Sequence, residues 1–245
     1  MPLLDTDTYA GQRPEDVRAL PAAVLWDMDG TLIDSEPHWM AAEHELVRAH
    51  GGVWTHEDAL GLVGSPLPAA AVVFQAHGVD LPADEIVDFL VARVGAQVSV
   101  RVPWQPGAAE TLAWLRAKDV PCALVTMSYR SLADAFVAQT PDGTFAAVVA
   151  GDEVTHGKPH PEAYLRAAEL LGVAIEECLV VEDSPSGIGS ALACGAIAVG
   201  VEVMVPLPDS PRLTRLSSVG QLTPELVDRV VRGEVIDLLG RAAGA

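Results

Sequence analysis

Five short runs along the chain are apolar at nearly every position: 22–26, 122–125, 145–149, 178–181 and 196–201. Runs with no polar face suit parallel strands covered by helices on both sides. Between them lie stretches of helical periodicity over 108–118, 131–139, 161–171 and 184–194. A last helix is predicted over 224–239, with Thr223 as its N-cap. Strand and helix therefore alternate from about residue 105 onward, which predicts right-handed crossovers and a doubly wound, mostly parallel α/β sheet.

The first strand breaks this rhythm. After Trp26 the chain takes roughly 95 residues to reach the next apolar run, too long for a crossover and too apolar for a loop. Helical stretches at 37–50, 56–62, 67–77 and 83–96 fill the interval, so an inserted all-helical domain is expected. The predicted organisation is an extension at 1–20, an α/β core from 21–34 and 105–245, and a helical domain over 35–104. The loop 101–106, with Trp104, is a candidate hinge between the two. The proline-rich segment 204–211 reads as a long surface loop without an assigned role.

Charge narrows the classes. Fifteen Lys and Arg stand against 34 Asp and Glu, a formal net charge of −19. A nucleic-acid surface needs a basic footprint, and anionic lipid needs basic residues too, so neither nucleic acid nor membrane is expected as a partner. No apolar run reaches the ~18–20 residues of a membrane helix. The first seven residues lack the basic and apolar parts of a secretion signal, and the three cysteines (Cys122, Cys178, Cys194) show neither pairing nor metal spacing. A reduced, cytoplasmic setting is the expectation. Lysine is scarce, at only Lys118 and Lys158, against 13 arginines.

Ligands of an open parallel sheet bind at the carboxyl ends of its strands. The first apolar run ends in Asp27-Met28-Asp29-Gly30-Thr31, the second in Thr126-Met127-Ser128 and the fourth in Glu182-Asp183-Ser184. Gly157-Lys158-Pro159 enters the helix of the third crossover. Each piece alone suits a helix cap or a turn. A calcium loop is excluded, because it needs glycine sixth and glutamate twelfth, where Asp27 is followed by Gly30 fourth and His38 twelfth. Together the pieces suit magnesium-assisted phosphoryl transfer. One carboxylate of the Asp27/Asp29 pair attacks phosphorus, while the other protonates the leaving oxygen and then deprotonates water. Asp27, Glu182, Asp183 and the backbone carbonyl of Asp29 are the candidate Mg2+ ligands, and Thr126, Met127 and Lys158 the candidate phosphate-binding residues.

With these motifs in place the chain resembles the haloacid dehalogenase superfamily. Asp27-Met28-Asp29-Gly30-Thr31 matches its first signature, Val125-Thr126 its second, His156-Gly157-Lys158-Pro159 its third and Val181-Glu182-Asp183-Ser184 its fourth. The resemblance covers about residues 22–240 and implies a Rossmann-like core, Asp27 as nucleophile, Asp29 as acid/base and the inserted helices as a mobile cap. Dehalogenases of the superfamily lack the second aspartate, so Asp29 points to a phosphatase of small phosphorylated metabolites. The nearest relatives it implies are sugar-phosphate phosphatases, phosphoglycolate phosphatases and β-phosphoglucomutase. The mutase holds a second phosphate with a cap arginine, and the comparable stretch here, 63–68, has no basic residue. A phosphomutase and a non-catalytic metal- or metabolite-binding protein are the alternatives. Arg130, His38 and Glu43 are candidate substrate-binding residues, and Trp39 and Trp54 either face substrate or pack between cap helices. A monomer or weak dimer is expected.

Overall fold

The five apolar runs become strands β1 (Ala23–Trp26), β2 (Cys122–Val125), β3 (Ala147–Val149), β4 (Cys178–Glu182) and β5 (Ile197–Val201). A sixth, β6 (Leu213–Leu216), completes one sheet in the order β3-β2-β1-β4-β5-β6, and every pairing is parallel. The computed structural model describes residues 19–240 apart from Gly64, so nearly all of the extension expected at 1–20 lies outside the described residues.

The strands lack a polar face because both faces are covered. Val24 and Trp26 of β1 join Leu124, Leu179, Val181 and Val199 in one buried cluster, while Ala23 and Leu25 join Ala123, Val125, Val180 and Ala198 in another. Helices α7 (Glu162–Leu171) and α8 (Pro185–Cys194) supply the second cluster. Helices α5 (Ala108–Ala117), α6 (Arg130–Val137) and α9 (Pro224–Val231) supply the first.

Two elements differ from expectation. Residues 213–216 carry no strand signal in the sequence, yet they form β6, a four-residue strand laddered to β5 at the end of the sheet order. Helix α9 starts as predicted, with the Thr223 hydroxyl accepting from the Leu226 N–H, but stops at Val231 rather than 239. Gly233 at φ 93 turns the chain, and the segment after it pairs with β6 through Arg215 N–H to Ile236 O at 2.8 Å and Leu238 N–H to Arg215 O at 2.8 Å.

Between β1 and β2 the chain forms α1 (Glu36–Ala49), α2 (His56–Leu60), α3 (Leu67–Ala76) and α4 (Ala83–Val100). Helices α1 and α3 both pack on α4, and α4 also packs on α6 of the sheet layer. The outgoing and returning chains run side by side. Within the candidate hinge 101–106, Asp34 N–H donates to Pro103 O at 2.8 Å and Gln105 N–H to Leu32 O at 2.9 Å. The Trp104 ring lies 5.3 Å from that of Phe136. Among the described residues no helix is long and apolar enough to cross a membrane.

The topology reverses at β1 and β4. From β1 the order runs outward through β2 to β3, and from β4 it runs the other way to β6. A crevice at that reversal, beyond the carboxyl ends of β1 and β4, is where such sheets bind ligands.

Candidate active site

A cavity of about 410 Å³ opens at that crevice, lined among others by Asp27, Asp29, Thr126, Met127, Ser128, Lys158 and Asp183. Its volume falls in the range of roughly 300–1,000 Å³ typical of small-molecule sites. The convergence follows from register. Asp27 directly follows β1, Thr126 follows β2 and Asp183 follows β4, and all three strands are parallel neighbours.

Lys158 is the electrostatic centre. Its ammonium is almost wholly buried and donates to Asp27 Oδ1 at 2.7 Å, to Glu182 Oε1 at 2.5 Å and to the Val125 carbonyl at 2.9 Å. Burial works to lower the Lys158 pKa, but the Asp27 and Glu182 carboxylates override it and hold the lysine charged. Burial, reinforced by Glu182, raises Asp27 to about 7 against the pull of Lys158. Burial also carries Asp183 well above its ordinary value, with Asp27 and Glu182 adding to the shift. Three buried carboxyls thus share one buried cation.

Asp27 Oδ2 is buried and has no hydrogen-bond partner. A buried acceptor left bare costs ~1–3 kcal/mol unless something else meets it. Oxygens of Asp27, Glu182 and Asp183 lie within 4.8 Å of one another, a hard donor set suited to a divalent cation. Glu182, expected as a ligand, belongs to that set and is also bound from within the protein. It does not line the cavity, and its oxygens accept five hydrogen bonds from Lys158, Tyr164, Ser184 and the Asp183 and Ser184 N–H groups. Asp183 keeps Oδ1 on the Thr31 hydroxyl at 2.9 Å. Gly30, at φ 89, lets the chain pass beneath it: a Cβ there would stand 2.1 Å from Asp183 Oδ2.

Asp29 is held from two sides. Its Oδ1 accepts from the Ser35 hydroxyl at 2.6 Å and the Trp39 indole N–H at 3.2 Å. Its Oδ2 accepts from Ser128 at 2.8 Å and Thr126 at 3.2 Å. Met127 lines the cavity, and its thioether accepts from the Lys158 N–H at 3.3 Å.

Of the three expected substrate contacts, two lie off the cavity. Arg130 does not line the cavity: its guanidinium is bonded to Asp134 at 2.8 Å and Glu153 at 3.2 Å, acidic neighbours that draw it outward. His38 is half-buried and off the cavity, whereas Glu36, Trp39 and Glu43 of α1 line it. Positions i, i+3 and i+7 share one helix face, and His38 is out of phase with them. Glu43 does face the cavity, buried and accepting from the Trp54 indole at 3.1 Å. Burial lifts Glu36 and Glu43 each to about 7, with the charge of Asp29 the next contributor for Glu36. Trp54 packs on Phe74 and His77, with ring centroids 4.9 Å away in each case.

Sequence reasoning missed Glu36, whose phase with Trp39 and Glu43 was a readable signal. It also missed Tyr164, whose hydroxyl donates to Glu182 at 2.7 Å from a helix position that reads as plain core. Val203, together with Met204 and Val205 of the segment left without a role, lines the cavity.

Residues 21–195 match the family described as haloacid dehalogenase-like hydrolase. The chain is 34% identical over 220 residues to hexitol phosphatase A of Escherichia coli (strain K12), a match covering 86% of this chain and 96% of that protein. It is 31% identical over 185 residues to fructose-1-phosphate phosphatase YqaB of the same organism, covering 75% and 97%. Among solved structures, CbbY of Rhodobacter sphaeroides in complex with phosphate superposes with a TM-score of 0.73 at 24% identity, covering 83% of this chain and 96% of that one. At that identity the likeness speaks for the fold.

Proposed function

Because this chain belongs to the haloacid dehalogenase-like hydrolases and is a phosphoric monoester hydrolase, we propose that it hydrolyses the phosphate ester of a small metabolite, a sugar phosphate or similar compound, through a phosphoenzyme on Asp27. The observation that carries this reading is the state of Asp27: Lys158 fixes one oxygen, and the other is buried without a partner.

A carboxylate oxygen of Asp27 bonds to phosphorus as the ester P–O bond breaks, and the leaving oxygen takes a proton from Asp29. Asp29 then removes a proton from water, which attacks phosphorus and breaks the acyl-phosphate bond, freeing Asp27. The hydroxyls of Thr126 and Ser128, now on Asp29, are placed to donate to phosphate oxygens, and Lys158 supplies fixed positive charge. Ser35 and Trp39 hold the acid/base from the side of α1.

The residues fit a divalent cation, with the side chains of Asp27 and Asp183 and the Asp29 carbonyl as its holders and Glu182 behind them orienting Lys158. Magnesium bound there supplies the positive charge that three buried carboxyls lack and offsets the charge of the incoming phosphate. The division into a core of 21–34 and 105–245 and a cap of 35–104 is part of the same reading, because α1 brings Glu36, Trp39 and Glu43 over the cavity. A cytoplasmic setting accords with three free, buried cysteines.

A phosphomutase must hold a second phosphate. Val63, Ser65 and Leu67, which line the cavity within the stretch 63–68, bring no cation to it. The test is phosphate release from a panel of sugar phosphates, nucleoside monophosphates and phosphoglycolate, with magnesium and with chelator. Magnesium-dependent release from some members supports the reading. No release from any member by folded protein overturns it.

A further inference from the structure

Phosphoryl transfer uses Lys158 but not the side chains on either side of it. His156 and His160 flank Lys158 in the chain, and Glu162 follows as the first residue of α7. In the fold the three meet, with one donor atom from each within 4.8 Å of the others. His156 Nδ1 stands 3.0 Å from Glu162 Oε2, and His160 Nδ1 stands 4.0 Å from the same oxygen. The two ring centroids are 4.6 Å apart.

The carboxylate is set in place by the backbone. Glu162 Oε1 accepts from the Thr155 N–H at 2.7 Å, and Oε2 accepts from the His156 N–H at 2.9 Å. The Thr155 N–H, with His156 assisting, holds the Glu162 carboxyl below its ordinary value and so ionised near neutral pH. A carboxylate offers about four acceptor positions, so these two bonds orient it and leave room for a cation. The Glu162 N–H donates to His160 Nδ1 at 3.3 Å, a bond in which that nitrogen carries a lone pair rather than a proton.

The donor set is of a different kind from the buried, all-oxygen group of Asp27, Glu182 and Asp183. Magnesium takes oxygen ligands, whereas imidazole suits zinc, copper and nickel. Two histidines and one glutamate also make a known zinc ligand set that leaves a fourth position for water. The His156 and His160 side chains are 62% and 53% exposed, so an ion can reach them from solvent.

We propose that His156, His160 and Glu162 form a second cation site, for a divalent transition metal of the zinc class. An ion there bridges the two ends of the turn that carries Lys158. The turn is closed by the His160 N–H on Gly157 O at 3.0 Å, and the Ser190 hydroxyl of α8 donates to the His160 carbonyl at 2.8 Å. The metal thus clasps the segment that delivers the buried ammonium to Asp27.

The test is calorimetric titration of the tag-free full chain with zinc in excess magnesium, in the wild type and in Asp183→Asn. Both should show a zinc-binding event that disappears when His156→Asn and His160→Asn are combined. Loss of a partner that merely orients a ligand costs about 10- to 100-fold in metal affinity, so each single histidine change and Glu162→Gln should weaken this event by about tenfold or more. Thermal melts in chelator check that the variants fold. In nuclear magnetic resonance spectra, zinc should shift the ring signals of two of the seven histidines, the two that His156→Asn and His160→Asn remove. Absence of a histidine-dependent event in either chain overturns the site. So do zinc shifts spread over the other histidines, and displacement of zinc by magnesium. None of these readouts uses turnover, so the site and the phosphatase reading stand or fall separately.

Discussion

One methyl group added at Gly187 tests whether Glu182 is the buried support of Lys158. Gly187 sits in the first turn of α8, where a Cβ would stand 1.8 Å from Glu182 Cδ and 1.9 and 2.0 Å from its two oxygens. Ordinary carbon contacts need about 3.5 Å, so the carboxylate must retreat by about 1.5 Å. That takes Oε1 out of reach of Lys158, now at 2.5 Å, and of Tyr164, now at 2.7 Å. Overpacking costs about 1–3 kcal/mol and a lost charge-assisted hydrogen bond about 1.5–3, against at most about 1 kcal/mol gained from replacing glycine in a helix. The clash wins, by about 1.5–5 kcal/mol. For a chain of this size the expected fall in Tm is about 5–15 °C. A loosened Lys158 should also cost about 10- to 100-fold in kcat/KM. Gly189→Ala is the control: on the same helix, its Cβ would meet only Pro159 Cβ at 3.1 Å, and it should melt within about 3 °C of the wild type. Thermal melts and turnover of p-nitrophenyl phosphate read both variants. If Gly187→Ala melts and turns over like the control, Glu182 does not hold Lys158 in the way described.

Asp27→Asn should fold and melt near the wild type yet give no turnover and no acid-stable phosphoenzyme; turnover near the wild-type rate would remove Asp27 as nucleophile. Magnesium at 100 times its Kd should stabilise by about 2.7 kcal/mol, raising Tm by about 5–10 °C, and Asp183→Asn should abolish most of that rise. An unchanged melting temperature in magnesium would count against the Asp27–Asp183 cation site. Glu43 has its folded pKa raised to about 7, so its stabilising contribution is present below its ordinary value of 4.5 and is lost as pH rises through about 7. In chelator, Glu43→Gln should therefore gain in Tm relative to wild type between pH 5 and pH 8; a constant difference across that range would contradict the assignment.

The core and the acid–lysine constellation were legible because both leave local marks. Strands covered on both faces read as unbroken apolar runs, and five of the six strands were found that way. Residues that directly follow strands β1, β2 and β4 meet because those strands are parallel neighbours, so Asp27, Thr126 and Asp183 converge from register alone. What stayed hidden depended on side-chain direction. Glu182 and Asp183 are adjacent and chemically alike, yet successive residues at a strand end point to opposite sides. One reaches the cavity, and the other turns inward to Lys158 and Tyr164. Arg130 looked available because Glu153 comes to its guanidinium only in the folded chain, although Asp134, four residues on in the same helix, was a readable partner. Strand β6 was missed because four residues with an arginine among them do not stand out from a loop.

The hydrogen bonds to Asp29 tie the chemistry to the inserted helices. Thr126 and Ser128 reach it from the end of β2, and Ser35 and Trp39 from the start of α1. Ser35 is the residue at which the chain leaves the sheet layer, beside the paired backbone of Asp34 and Pro103. A rotation of α1 about that pairing would move Trp39 and the wall residues Glu36 and Glu43 together, because all three occupy one face of the helix. Such a rotation changes the donors to Asp29 and the shape of the wall in the same motion. In the proposed reaction the residue that moves the proton and the cavity wall are thus joined by a single short helix entry.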